Sequence, residues 1–285
     1  MPAPVREYRD RLFTFIFGSE LHRDWTLSLY NAVNETQHCD PDAITITTIR
    51  DVLYLGMHND VSFLLADEMN LYEQQSTYNP NMPLRMLQYA SNLYEKYTRQ
   101  HRLNKHRRTL IALPAPRLVV FYNGSSDIAD EVVLHLSDSF PAHAKSDIEV
   151  CVRMININQG NSPQLMETCT PLREYAWTVE RIRDNMRNME ALRAIDDALE
   201  GMPKGFVIRP FLQAHKAEVR DMLLTEYDEA EAMELFREEG LKEGREEITR
   251  ENLQSLMENL PCDLEEAMCL LKIPEAERNR YRNSP

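Results

Sequence analysis

The hydrophobic pattern of the first fifty residues changes from helical spacing to alternation. Apolar residues recur three or four positions apart over 8–17 and 25–33, which predicts two helices. Between 44 and 49 the sequence ITITTI alternates apolar and polar residues, as a β-strand does. Short β-prone runs separated by turn-type residues follow, and they predict strands near 51–55, 60–65 and 69–75.

The last two of these strands should form a hairpin that brings acidic residues together. A two-residue turn at Asp67-Glu68 places Asp60 opposite Gln75 and Ser62 opposite Glu73. A register shifted by one residue instead makes Asp60 diagonal to Glu73. In either register a carboxylate from each strand lies on one patch of sheet surface, within roughly 5–8 Å of the other.

The rest of the chain alternates once more between helix and strand and then becomes helical. An amphipathic segment from Pro83 to Gln100 predicts a long helix, and after Pro171 the pattern is helical with one break at 201–205. Three apolar runs between them predict strands at 116–124, 132–138 and 148–157. This order predicts an α/β fold, a mixed sheet with helices on its faces, as a core over 1–170. A helical C-terminal region then covers 171–285, with an acidic tail from about residue 216.

The charge is distributed unevenly, which changes what the net charge of −14 implies. Residues 216–285 hold 10 Lys/Arg against 19 Asp/Glu, whereas 96–126 hold seven Lys/Arg and no acid. The basic stretch could follow a DNA backbone, and a solvated helix end explains it equally well. The candidate DNA-binding residues in it are Lys96, Arg99, Arg102, Lys105, Arg107 and Arg108.

Several classes of protein are disfavoured by composition and motif content. The five cysteines are scattered and none forms a CxxC pair, which argues against a disulfide framework and a structural zinc site. Only His38 and Cys39 stand together, and they are adjacent rather than ligand-spaced. The sequence contains neither a P-loop nor a GxSxG motif. No apolar run approaches a membrane span and no basic-then-apolar signal begins the chain, so we expect a cytoplasmic protein without membrane contact.

The paired acids suggest a metal site. Asp60 opens one strand, while Glu73 and Gln75 lie two apart on the next and therefore point to the same face. Two carboxylates held this close repel each other unless a cation lies between them. Mg²⁺ is the expected ion, with Mn²⁺ as an alternative, because such ions prefer oxygen ligands and activate water for phosphodiester hydrolysis. The same D…ExQ spacing also arises by chance in many proteins.

Longer strings of sequence resemble a known family. YRDRLFTFIFG, NDVSFLL, LYEQQSTYNPNMPLR and PRLVVFYNG, together with the Glu/Gly-rich EEGLKEGREE, are similar to the PD-(D/E)XK nucleases of the recombination-promoting nuclease and transposase type. The resemblance covers nearly the whole chain. It implies a restriction-endonuclease-like fold and an Mg²⁺-dependent DNA endonuclease linked to recombination, mobile elements or defence.

The resemblance also implies roles for individual residues. Asp60 and Glu73 would be the metal ligands and part of the catalytic set, and Gln75 stands where the wider superfamily has a lysine. Glutamine can orient a water but carries no positive charge. Arg85, ten residues later, is a candidate for the missing charge and for a phosphate contact, and Asp10 is a candidate additional acid.

Two other interpretations remain open at the level of sequence. Gln75 in the lysine position and the acidic net charge also suit a DNA-binding or scaffold protein that keeps a nuclease fold without catalysis. The C-terminal helices, in turn, could join copies of the chain into a homo-oligomer or mask the DNA site, since an acidic helix can mimic the charge of DNA.

Overall fold

The computed structural model describes residues 11–47 and 60–282. The chain forms two compact units, Met1–Tyr227 and Asp228–Pro285, and the predicted boundary at residue 170 falls inside the first unit. Asp10 and the strand predicted near 51–55 lie outside the described residues.

The first unit is built on a six-stranded mixed sheet, which confirms the predicted α/β class. The strand order is β1-β2-β3-β4-β6-β5, with the central β3–β4 and β4–β6 pairs parallel and the outer pairs antiparallel. The strands are β1 (Thr45–Ile46), β2 (Val61–Leu65), β3 (Glu68–Gln75), β4 (Ala115–Tyr122), β5 (Glu131–His135) and β6 (Cys151–Asn156).

Helices precede the sheet, connect two of its strands and make up the chain after β6. The described α-helices are α1 (Arg11–Phe17), α2 (Arg23–Asn34), α3 (Met82–Gln100), α4 (Pro163–Thr168), α5 (Thr170–Met186), α6 (Ala191–Glu200), α7 (Arg209–Ala214), α8 (Lys216–Asn259), α9 (Leu264–Leu270) and α10 (Glu275–Arg282). The long helix predicted from Pro83 and the helical C-terminal region are therefore confirmed. Among these described helices, none has an apolar stretch long enough to cross a membrane.

Each face of the sheet buries its own hydrophobic core. On one face, α3 packs Met86, Tyr89 and Leu93 against side chains such as Leu71 and Val120. On the other face, α1, α2 and the helices from α4 to α8 cover a larger core of aromatic and aliphatic side chains that includes Phe13, Phe63, Tyr72, Phe121 and Tyr175. Residues that alternate along β3 therefore point either toward α3 or toward the larger core.

The hairpin forms, but its predicted register is wrong. Leu65 pairs with Glu68, so the turn consists of Ala66 and Asp67, with Ala66 in a left-handed conformation (φ 52°). Glu68 belongs to the strand because its carboxylate accepts hydrogen bonds from Tyr30 on α2 and Arg117 on β4. The turn lies one residue earlier than predicted, so the pairing of the two strands is shifted by two residues, and every side chain stays on its predicted face.

The strands at the other edge of the sheet are shorter than predicted. β5 ends at His135, where a short 3₁₀ helix (Leu136–Ser139) begins, and β6 begins only at Cys151. One further pairing continues beyond them, since the Leu136 N–H donates to the Val150 carbonyl.

The second unit has a small core of its own. The last turns of α8 contribute Leu253, which lies in one apolar cluster with Met268 of α9 and Tyr281 of α10. Asp263 begins α9 with a capping box, in which its carboxylate accepts the Glu266 N–H and the Glu266 carboxylate accepts the Asp263 N–H. Such a box satisfies two backbone donors at the helix start and fixes where α9 begins.

Candidate functional site

Asp60 is a buried acid immediately before β2. It lies one residue before the first paired residue of β2 and is 4% exposed. On β3, Gln75 directs its backbone toward β4, where its carbonyl accepts the Asn123 N–H, so the backbone of Gln74 faces β2. The Asp60 carboxylate accepts that Gln74 N–H at 2.8 Å. This hydrogen bond fixes the carboxylate against the backbone of β3.

Glu73 lies on the neighbouring strand, beside Asp60. The pair Val61–Tyr72 contributes to the larger core, so alternation places both Asp60 and Glu73 on the face that α3 covers. Extending the register by one residue beyond Val61–Tyr72 sets Asp60 across from Glu73. Glu73 is 3% exposed, so the sheet holds two adjacent buried acids.

Arg85 brings a positive charge to the two acids. It lies in the first turn of α3, which packs over this end of β3, and its Nη2 is 2.6 Å from Oε1 of Glu73. The same nitrogen donates to the hydroxyl of Tyr89, one helical turn later, at 2.8 Å. Tyr89 is buried and thus holds the guanidinium in place against the sheet. Arg85 was predicted to supply the charge that Gln75 lacks, and it lies where that charge acts on Glu73.

Gln75 and Asn123 place polar side chains at the ends of the two central strands, on opposite faces of the sheet. Gln75 shares the face of Glu73, whereas Asn123 accepts a hydrogen bond from the side chain of Gln74, which points to the other face. Gln75 ends β3 and Asn123 follows β4, and the two are joined through their backbones. Within the described part of the chain, Oε1 of Gln75 and Nδ2 of Asn123 are buried and have no hydrogen-bond partner. A buried polar atom without a partner is costly unless water or a ligand satisfies it. Oε1 of Gln75 can accept, and Nδ2 of Asn123 can donate, a hydrogen bond to water or to a ligand, each on its own face of the sheet.

Gly124 permits the close approach of the chain segments that follow β3 and β4. A Cβ at this position would lie 2.0 Å from the carbonyl oxygen of Ser76 and 2.4 Å from the Tyr122 hydroxyl. Because the first of these atoms belongs to the backbone, no side-chain movement could relieve the contact. The glycine thus keeps Gln75 and Asn123 side by side.

The opposite face of β3 carries a second acid with a different environment. Glu68 accepts from the Tyr30 hydroxyl at 2.9 Å and pairs with Arg117 at 2.5 Å. Burial, and then the hydrogen bond to Glu68, raise the pKa of Tyr30 to about 12. Arg117 belongs to the acid-free segment of the sequence, yet this ion pair neutralises it. Glu68 is therefore an acid on the same strand that has its own cation and lies away from the candidate site.

The basic stretch is exposed except at its beginning. Lys96 is half-buried on α3 and donates to the Thr47 carbonyl at 3.0 Å, which ties it to the protein rather than to solvent. Arg99 is exposed and pairs with Glu95 one turn earlier. The remaining predicted DNA-binding residues are exposed in the loop after α3: Arg102, Lys105, Arg107 and Arg108.

The structure brings together Asp60, Glu73 and Arg85, and it places Gln75 on the same face of β3, two residues after Glu73. Sequence reasoning missed the contact of Tyr89 with Arg85. Their spacing of four residues on a predicted helix is the signal that could have found it, because residues four apart are neighbours on a helix surface. No protein-family model, no curated protein and no solved structure matches this chain.

Proposed function

We propose that this protein is a metal-dependent DNA endonuclease with a PD-(D/E)XK type of core. The observation that carries the proposal is the pair of buried acids, Asp60 and Glu73, which lie across from each other on neighbouring strands with Arg85 beside them. Buried acids are costly unless they are paired, coordinate metals or serve chemistry. The resemblance of the sequence to recombination-promoting nucleases supports a role in recombination, mobile elements or defence.

The oxygen atoms at this site are suitable ligands for Mg²⁺ or Mn²⁺. Asp60 and Glu73 would hold the ion, and the buried Oε1 of Gln75 adds a third oxygen at the same end of the sheet. Such hard cations take oxygen ligands and commonly use one or two carboxylates. A bound ion would polarise a phosphoryl oxygen and lower the pKa of a coordinated water.

The side chains around the acids have complementary tasks. The amide of Gln75 can accept a hydrogen bond from a water through Oε1 and so orient it. Arg85 donates to Glu73 through Nη2 and to the Tyr89 hydroxyl through both Nη2 and Nε. These contacts place the guanidinium beside the two acids, where its positive charge could bind a phosphate oxygen.

A scaffold or DNA-binding protein that lacks catalysis is the alternative, and one observation favours it. Both acids already have structural partners: Asp60 accepts the Gln74 N–H, and Glu73 pairs with Arg85. On this hypothesis Asp60 binds the backbone of β3, Glu73 anchors α3, and no ion binds.

Cleavage by the unmodified protein distinguishes the two functions. We expect the full chain to nick supercoiled plasmid DNA in Mg²⁺ or Mn²⁺ and to leave it intact in EDTA. The measurement is the conversion of supercoiled to open-circular DNA on a gel, with time courses at several protein concentrations. Intact plasmid in both metals, from protein shown to be folded, would contradict the endonuclease and leave the scaffold function.

The exposed basic loop gives a separate prediction about DNA binding. Changing Lys105, Arg107 and Arg108 to alanine should weaken DNA binding and lower the salt dependence of log K by up to about 0.9 for each lost phosphate contact. The matched control removes three exposed cations elsewhere in the first unit: Arg187, Arg193 and Lys204. Titrations by fluorescence anisotropy at several salt concentrations measure both quantities. An equal loss in both triple variants would show that net charge, rather than this loop, governs binding.

A further inference from the structure

A histidine and a cysteine face each other across the edge of the sheet, away from the paired acids. His135 on β5 pairs with Cys151 on β6, and both side chains are exposed. The adjacent pair, Leu136 and Val150, is joined by a backbone hydrogen bond, so His135 and Cys151 form a non-hydrogen-bonded pair. Side chains of such pairs lie closest together, and Nδ1 of His135 is 3.5 Å from Sγ of Cys151.

Glu149 adds a carboxylate to this pair. It lies two residues before Cys151, and its Oε1 accepts the N–H groups of Ser137 and Val150. These two bonds hold the carboxylate beside the strand, and a carboxylate offers about four lone-pair positions, so further acceptor capacity remains. One ligand atom each from His135, Glu149 and Cys151 lies within 4.8 Å of the others.

We propose that His135, Glu149 and Cys151 bind a transition-metal ion, with Zn²⁺ as the best fit. Imidazole nitrogen, thiolate sulfur and carboxylate oxygen are the three ligand types that Zn²⁺ takes in proteins. Metal–ligand bonds of about 2.0–2.3 Å place the ligand atoms of a tetrahedral site roughly 3.3–3.8 Å apart. The His135–Cys151 separation already falls in this range, and the carboxylate needs to move by only about 1 Å. Three protein ligands leave a fourth position for water or another small ligand.

This site differs from the paired acids in both place and chemistry. The register sets Met154 of β6 level with Glu73 of β3, and Cys151 lies three residues before Met154 on a strand that β4 separates from β3, so the two sites are distinct. Sulfur and nitrogen ligands select against Mg²⁺, whereas the oxygen set around Asp60 suits it. The zinc proposal therefore stands whether or not the protein cuts DNA.

Binding of Co²⁺ and Zn²⁺ to the reduced full chain tests the proposal. We expect one equivalent of Co²⁺ to produce a thiolate-to-metal charge-transfer band and Zn²⁺ to displace it. Cys151→Ser should abolish the band, and both Cys151→Ser and His135→Gln should weaken Zn²⁺ binding at least about 100-fold, because even the loss of an outer-shell partner costs 10–100-fold. Glu149→Gln should weaken binding less, since an amide oxygen remains.

Cys39→Ser provides the matched control. Cys39 is exposed and has a neighbouring histidine, His38, which is adjacent along the chain rather than across a strand pair. This variant should bind Co²⁺ and Zn²⁺ as the unmodified chain does. The proposal is overturned if the unmodified chain gives no charge-transfer band, if Cys151→Ser keeps it, or if Cys39→Ser loses it equally.

Discussion

Replacing Asp60 with asparagine, or Glu73 with glutamine, is expected to lower Mg²⁺-dependent DNA cleavage at least about 100-fold. A bound metal ion stabilises the transition state by several kcal/mol, and each 1.36 kcal/mol changes the rate about tenfold. The amides keep the shape of the two side chains but remove the negative charge that holds the ion. Initial rates of plasmid nicking, measured over a range of Mg²⁺ concentrations, give the loss in rate and any shift in metal requirement.

Glu68→Gln is the control for this prediction. Glu68 lies on the same strand as Glu73 and also pairs with an arginine, but its partners Tyr30 and Arg117 are on the other side of the sheet. Its loss should leave cleavage close to that of the unmodified protein. Equal losses in Glu68→Gln and Glu73→Gln would indicate that damage to the sheet, rather than to a metal site, causes the effect. Circular dichroism spectra of each variant establish that the fold is retained.

Local patterns were sufficient to predict most elements of the fold. Short β-prone runs around Phe63 and Leu71, bounded by turn-type residues, predict the two hairpin strands, and helical spacing after Pro83 predicts α3. Both signals are local in the sequence. The register of the hairpin was wrong because it depends on Glu68, whose place in the strand is fixed by contacts with Tyr30 and Arg117 that lie far away in sequence.

The proximity of the two acids could be predicted from the sequence, whereas the residues that contact them could not. Asp60 and Glu73 share a face both in the pairing predicted from the Asp67-Glu68 turn and in the observed pairing. The alternative shift by one residue would have put them on opposite faces, so that part of the prediction was wrong. The contact between Arg85 and Glu73 depends instead on how α3 docks on the sheet. The proximity of His135 and Cys151 depends on a pairing between strands whose ends the sequence did not define. Cysteine spacing argued against a structural zinc site because it considers only ligands that are close in sequence.

Removing the Arg85 side-chain charge should destabilise the protein more than any other single change at this site. Arg85→Met leaves Glu73 buried without its cation, and breaking such a pair costs about 3 kcal/mol, the lower end of the usual range, since Arg85 itself is partly exposed. Glu73→Gln should cost less, because the remaining guanidinium can turn toward water. The free energy of unfolding, measured by urea titration, provides both values.

The double variant Arg85→Met/Glu73→Gln determines whether these costs come from the pair itself. We expect it to be more stable than the sum of the single changes predicts, with a coupling of about 1–3 kcal/mol. If the single effects add to within about 0.5 kcal/mol, the ion pair contributes nothing of its own to stability.

The same variants connect the ion pair to the proposed metal site. Without Arg85, the acids Asp60 and Glu73 keep their negative charge, so a cation should bind there more tightly than in the unmodified protein. Binding at ten times the Kd stabilises a protein by about 1.4 kcal/mol, so Mg²⁺ should restore roughly half of what Arg85→Met loses. It should not stabilise the double variant, which lacks the Glu73 carboxylate. If Mg²⁺ stabilises Arg85→Met but not the double variant, the arginine and the metal ion compete for one pair of acids. If Mg²⁺ stabilises neither variant, the result favours a scaffold in which Arg85 is the permanent partner of Glu73.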